Sequence, residues 1–232
     1  MTGRIGLIGG LSWMATAEYY RYANQLYQGP TAWSQPPMLI ESVDFAAFVA
    51  LQQANDWVAT GERLVAAAQR LEGAGATVLA IGANTMHKNY DEVRDAVSIP
   101  VLDVRTCVAN EVKATRGSTL ALLGTKYALT QDFYVDALRA QDLAVVLPDA
   151  EEIDELQRLI YDELTSGVVR PESKAWLESL IARLIERGAD AVGLCCTELG
   201  LLIEESDAPV PIIDSTKAHM RALLATLLSS PA

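Results

Sequence analysis

The chain has 232 residues, half of them hydrophobic and 21% charged, with a formal net charge of −12. That is enough apolar side chain for one large packed domain or two small ones, and too little charge for a disordered chain. The acidic balance argues against a nucleic-acid backbone or an anionic membrane as partner, and no apolar run of about 18 residues is present to predict a membrane span.

The elements expected along the chain alternate short apolar runs with longer amphipathic ones. A strand over 4–8 precedes a helix over 15–28, and a strand over 37–42 precedes a helix over 56–72. A third strand over 77–81 leads to a helix over 88–97, and a fourth is expected over 101–103. The second half repeats the alternation, with strands over 119–123, 144–146, 191–194 and 212–213. Its helices are expected over 130–140, 149–165, 171–186 and 217–228. Strand alternating with helix predicts an α/β fold with parallel sheets joined by right-handed crossovers. The N-terminus turns glycine-rich too early for a signal peptide. Three cysteines, Cys107, Cys195 and Cys196, fit neither a disulfide framework nor a zinc site, so a reducing cytoplasm is the expected location.

Three pairs of segments match in the same order. GATVLAIGANTMHK, from Gly75, resembles GADAVGLCCTELGL, from Gly188, at an offset of 113 that carries Ala83 onto Cys196. RIGLIGG, from Arg4, resembles TLALLGT, from Thr119, and Gly9 meets Gly124 at an offset of 115. IPVLD, from Ile99, resembles VPIID, from Val210, at an offset of 111. Together they indicate an internal duplication and two similar α/β lobes. Ligands of open parallel sheets sit beyond the carboxyl ends of the strands. The turns at Gly9 and Gly10, at Ala83 to Thr85, at Thr125 and at Cys196 to Glu198 all fall there. Lobes facing each other would gather these turns around one cleft with two opposed walls, which suits chemistry on both faces of one carbon.

Cys196 is the leading candidate for that chemistry. It ends an apolar run and precedes Thr197 and Glu198, so backbone amides at the start of a turn are expected to favour its thiolate. Its neighbour Cys195, and Cys107, read more simply as small core hydrophobes. In ANTMH the side chains of Asn84 and Thr85 can donate to a carboxylate or an enolate-like oxygen, or simply cap the following helix. Met86 follows them in the same turn. His87 and His219 are the only histidines, and each reads more readily as a capping or supporting group than as a base. GLIGGLSW, from Gly6, lacks the spacing of a dinucleotide-binding loop, so nucleotide is not expected; a close backbone approach to a small carboxylate fits it better. Asp44, in SVDF, and Glu198 could orient a thiol or stand as solvated loop acids.

These residues carry a family resemblance. IGLIGGLSW, SVDF, NTMHK, ALLGTKYALTQDFY, CTELGLL and IIDSTKAH, in that order, resemble the aspartate/glutamate racemases of the Asp/Glu/hydantoin racemase superfamily. The resemblance implies two Rossmann-like lobes related by pseudo-twofold symmetry, with an active-site cleft between them. It assigns residues 1–103 and about 210–232 to the first lobe and 104–209 to the second. It also implies a PLP-independent, cofactor-free isomerase, dimeric, acting on a small amino acid or related carboxylate. Two facing cysteines would serve Cα, one removing a proton and the other returning it to the opposite face. The family pattern is Cys-Asn-Thr in the first lobe and Cys-Thr-Glu in the second. Here the second is intact at Cys196, Thr197 and Glu198, and the first reads Ala83, Asn84, Thr85. Gln52, Asn84, Thr85, Met86, Thr125, Thr197 and Glu198 are the implied substrate-binding residues. Relatives also carry a lysine near Thr165, and Gln52 and Lys126 are candidates to replace part of its recognition.

Three readings follow. The first is an amino-acid racemase, acidic substrates favoured, with Cys196 on one face and Thr85, His87 or water supplying the other proton. The second is a one-cysteine enzyme of the same superfamily, similar to arylmalonate decarboxylase, which needs a single proton donor. The third is a binding protein, native or altered at residue 83, that retains the cleft without the activity.

Overall fold

The computed structural model describes residues 3–229. The chain divides into two compact units, one of residues up to Asp103 together with those from His219, the other Val104–Ala218. Each contains its own four-stranded parallel sheet.

In the first unit the chain runs β1 (Ile5–Gly9), α1 (Trp13–Leu26), β2 (Met38–Ser42), α2 (Phe45–Gln53) and α3 (Trp57–Gly73). It continues through β3 (Val78–Ile81), a 3-10 turn (Thr85–Asn89), α4 (Tyr90–Asp95) and β4 (Val101–Leu102). The strand order is β2-β1-β3-β4. β1 is buried along its whole length because both faces of the sheet are covered, which is why it reads as a continuous apolar run. Ile5 and Leu7 pack with Tyr19 and Ala23 of α1 and with Met220, Leu223 and Leu227, while Ile8 packs on the other side with Leu64, Ala67 and Ala68 of α3. Fully burying each of these aliphatic side chains contributes about 1.5–3 kcal/mol.

The second unit has α5 (Val104–Ala114), β5 (Thr119–Gly124), α6 (Lys126–Thr130), α7 (Asp132–Arg139), β6 (Ala144–Val146) and α8 (Ala150–Asp162). After these come a 3-10 turn (Leu164–Ser166), α9 (Pro171–Glu186), β7 (Ala191–Cys195), a 3-10 turn (Thr197–Leu201) and β8 (Ile212–Asp214). Its strand order, β6-β5-β7-β8, repeats the first sheet strand for strand. α10 (Ser215–Ser229) starts in this unit and passes into the first at His219. The passage falls there rather than near 210 because β8 is hydrogen-bonded into the second sheet beside β7.

All eight expected strands form, within a residue or two of their expected ends. Three helices lie outside the expected element ranges. α2, FAAFVALQQ, is apolar for most of its length and so lacks a helical stripe; it is started by Asp44, whose Oδ1 accepts from Ala46 N at 3.1 Å. α5 and the five-residue α6 were the others. The helix expected over 88–97 forms as α4 behind a 3-10 turn.

Gly9 ends β1, and Gly10 follows it with positive φ, closed in by its neighbours. A Cβ on Gly10 would lie 2.2 Å from Val43 O, and the Gly10 amide already donates to Thr16 Oγ1 at 2.7 Å. The close approach that the sequence signalled is therefore one turn of backbone against another.

The duplication extends to local geometry. Gly75 (φ +93°) and Gly188 (φ +101°) each end the helix that leads into the third strand of their sheet. Their amides return to Glu72 O and Ile185 O, both at 2.9 Å, in a backbone conformation L side chains rarely adopt. A Cβ on Gly188 would meet nothing within 4 Å. Gly188→Ala therefore isolates backbone strain from packing. It should lower unfolding free energy by about 1–3 kcal/mol, read as a shifted urea midpoint at constant slope; an unshifted midpoint would refute this role.

Candidate active site

In the second unit the site starts from β7, all of whose residues are buried. Cys196 follows it with extended backbone (φ −135°, ψ 128°) and heads the 3-10 turn Thr197–Leu201. Its Sγ donates to Glu198 Oε2 at 3.2 Å, and Thr197 Oγ1 donates to the same oxygen at 2.5 Å. All three side chains are under a tenth exposed. The expectation of a favoured thiolate is overturned. Burial, with the Glu198 charge and hydrogen bond second, holds the Cys196 thiol well above its ordinary range. The backbone amide of Glu198 acts in the opposite direction and does not offset the desolvation. Cys196 is thus a protonated thiol with a proton acceptor already in contact. Cys195 points elsewhere in function: fully buried, its thiol is pushed up to about 12 by desolvation, as for a core residue. Cys107 is buried in α5.

Thr125 follows β5 and caps α6, its Oγ1 accepting from Ala128 N at 3.4 Å. Lys126 Nζ pairs with Asp154 Oδ1 at 2.5 Å, both side chains being about half exposed or more. Thr165 is spent locally, Oγ1 donating to Tyr161 O at 2.8 Å. Tyr161 itself escaped the sequence reading. Burial raises its phenol pKa, followed by the electrostatic influence of Cys196, which places this hydroxyl in the same electrical neighbourhood as the thiol. No motif marks it; the only signal is its place one helical turn before Thr165.

In the first unit the equivalent strand end carries Ala83. Ile81 of β3 is paired with Ile8, as Leu194 of β7 is paired with Leu123. Ala83 and Cys196 each lie two residues further on, so the two positions are equivalent within their own sheets. Asn84, Thr85 and Met86 are buried at the start of the 3-10 turn, where Asn84 makes no side-chain capping bond. His87 Nδ1 donates to Ala83 O at 2.9 Å. His219 is fully buried, and desolvation lowers its pKa to about 3, so it is neutral. Gln52, in the last turn of α2, is 4% exposed and its Oε1 has no hydrogen-bond partner among the described residues. Such an acceptor costs about 1–3 kcal/mol until a donor reaches it. Asp44 serves as the helix cap described above and not as a thiol's partner within the first unit. Among the described residues no three His, Cys, Asp or Glu side chains are grouped as metal ligands would be, and no helix is long and apolar enough to cross a membrane.

Two four-stranded parallel sheets of matched strand order are an architecture found in solved amino-acid racemases. The family description Asp/Glu/Hydantoin racemase matches residues 8–223, and the chain belongs to that family. It is 22% identical to the broad specificity amino-acid racemase RacX of Bacillus subtilis, over 97% of this chain and 98% of that one. A solved aspartate racemase homologue from Pyrococcus horikoshii is similar at a TM-score of 0.86, with 34% identity covering 99% of this chain and all of the other. Arylmalonate decarboxylase shares the fold at a TM-score of 0.58 and 17% identity, over 99% of this chain and 94% of that one.

The ionisation of Cys196 has a direct readout. Its iodoacetamide alkylation rate should still be climbing above pH 9, where an ordinary thiol of pKa about 8.5 levels off. Glu198→Gln removes the opposing charge, so its thiol ionises lower and should react about tenfold faster at pH 8. A parent profile that levels off below pH 8 would mean the thiolate is favoured after all.

Proposed function

We propose that the protein moves a proton at Cα of an amino acid, with Cys196 as the acid/base on one face. The observation that carries this reading is the 3.2 Å hydrogen bond from Cys196 Sγ to Glu198 Oε2. Glu198 takes the thiol proton, and the thiolate so formed removes the proton from Cα. In the reverse sense the neutral thiol gives its proton to the planar carbanion and Glu198 restores it. Proton transfer by a positioned group contributes about 10²–10⁴-fold. The equivalent position of the first unit, Ala83, offers no titratable group, so we assign the second proton to Thr85, His87 or water.

Aspartate and glutamate are the favoured substrates, with Asn84, Thr85, Met86, Thr125, Thr197 and Gln52 as the binding residues. Gln52 and Thr165 bring no charge to a side-chain carboxylate, so asparagine and glutamine belong in the same panel. The reaction is assigned to protein groups alone, without pyridoxal phosphate, metal or nucleotide; chelation and hydroxylamine treatment should leave activity intact. A homodimer in the cytoplasm is the working form we infer, checked by sedimentation and fractionation.

A second reading has one observation in its favour. A single thiol held protonated is suited to delivering one proton to one face of an enediolate, as a decarboxylase of this fold would require. Deuterium exchange at Cα of both enantiomers, followed by NMR in D₂O, distinguishes the two. Exchange that is lost in Cys196→Ala supports proton transfer on amino acids. No exchange with any of them, together with CO₂ release from an arylmalonate, moves the assignment to the decarboxylase.

The missing group can be restored. Ala83→Cys should raise racemisation of aspartate or glutamate about 10²-fold, equivalent to roughly 3 kcal/mol of barrier. A sulfhydryl in place of a hydrogen on the half-buried Ala83 methyl is a small change in volume. A folded Ala83→Cys protein no faster than its parent would remove position 83 from the mechanism.

A further inference from the structure

We propose that His87 is a positioning residue for the turn after β3, holding the Ala83–Asn84 peptide in the plane from which Asn84 faces a bound carboxylate. The proposal rests on the reading of Asn84 as a carboxylate-binding residue. Its geometry lies wholly within the first unit.

Residues Thr85–Asn89 form a 3-10 turn, so the His87 amide is drawn to Asn84 O at 3.1 Å, one residue short of an α-helical bond. The Ala83 carbonyl thereby loses the donor that an α-helix would supply four residues on. The imidazole of the same residue fills the gap, Nδ1–H reaching Ala83 O at 2.9 Å. A trans peptide is planar, with its N–H directed opposite to its C=O. Pinning the Ala83 carbonyl therefore fixes the Asn84 amide and the bonds that launch both neighbouring side chains.

The ring that does this is itself held. Tyr90 stacks on His87 with centroids 6.0 Å apart and planes 9° from parallel, and His219 meets it edge-on at 5.8 Å and 65°. Both holders are anchored on β4: Tyr90 hydroxyl donates to Val101 O and His219 Nε2 to Leu102 O, each at 3.0 Å. With Nε2 as its donor, a neutral His219 must accept at Nδ1, and Tyr19 hydroxyl donates there at 2.8 Å. The bracket runs from β4 through Tyr90 and His219 to His87 and so to the peptide at 83. None of its bonds uses the side chain at 83, so it operates in a chain that has alanine there.

The test is a malonate titration of ¹⁵N-labelled protein, following the Asn84 amide by NMR in the parent and in His87→Asn, His87→Gln and His87→Leu. Asparagine places its amide nitrogen where Nδ1 lies, glutamine places it one atom further out, and leucine has no donor. Loss of the bond should weaken malonate binding about tenfold in His87→Leu and His87→Gln, with His87→Asn within about threefold of the parent. The asparagine and glutamine variants, both polar, keep the comparison decisive should the leucine variant fail to fold. Equal affinity in all variants, or an Asn84 amide that malonate does not move in the parent, overturns the proposal. Cα exchange in the same proteins separates this from the functional reading. Exchange that ignores residue 87 removes the positioning role alone. Malonate binding that depends on residue 87, with no exchange in any variant, removes the proton-transfer reading alone.

Discussion

Glu198 Oε2 accepts from two neighbours at once, the Cys196 thiol and the Thr197 hydroxyl, among residues nearly closed to solvent. In a dry setting an unpartnered carboxylate is costly, and both donors are needed to keep it there. The same burial, with the Glu198 carboxylate beside it, disfavours a negative charge on sulfur. That single constraint determines the resting state of the site. The proton waits on sulfur, and any event that draws it to Glu198 must be accompanied by something that stabilises the thiolate.

The rest of the second unit can be understood as supporting that pair. β7 is central and buried, so the position of Cys196 is fixed by the sheet rather than by a mobile loop. Glu163, itself buried, ties Arg158 and Ser173 at 3.0 and 2.6 Å, fastening the end of α8 to the start of α9 around Thr165. The first unit uses the same strand order but supports its strand end differently, with packed aromatic and imidazole rings in place of a carboxylate. Duplication preserved the scaffold, and the two copies diverged where the strands end.

How much of this could be read from the sequence depends on whether the signal is local. Strands buried on both faces appear as unbroken apolar runs, and the repeated Gly-Ala before β3 and β7 marks two positive-φ turns, so the fold and the equivalence of Ala83 with Cys196 were legible. α2 was not, because Phe45 to Leu51 has no polar face to give it a helical period. The place of Cys196 was legible and its ionisation was not: proximity to backbone amides is visible in sequence, whereas the burial that outweighs them is a tertiary property. Lys126 offered a free charge on paper, and Asp154, 28 residues away, takes it. Tyr19 and His219 are 200 residues apart and carry no motif, yet they share one hydrogen bond.

That last bond has a bearing on how the chain is made. Tyr19 and the β1 side chains Ile5 and Leu7 find their partners in Met220, Leu223 and Leu227, which are made after the whole of the second unit. The second unit is one uninterrupted segment, Val104–Ala218, and can close as soon as it emerges. The first, although begun earlier, stays open on one face of its sheet until α10 has been made. Until then the apolar face of β1 lacks part of its cover, so the first unit to begin is the second to be completed.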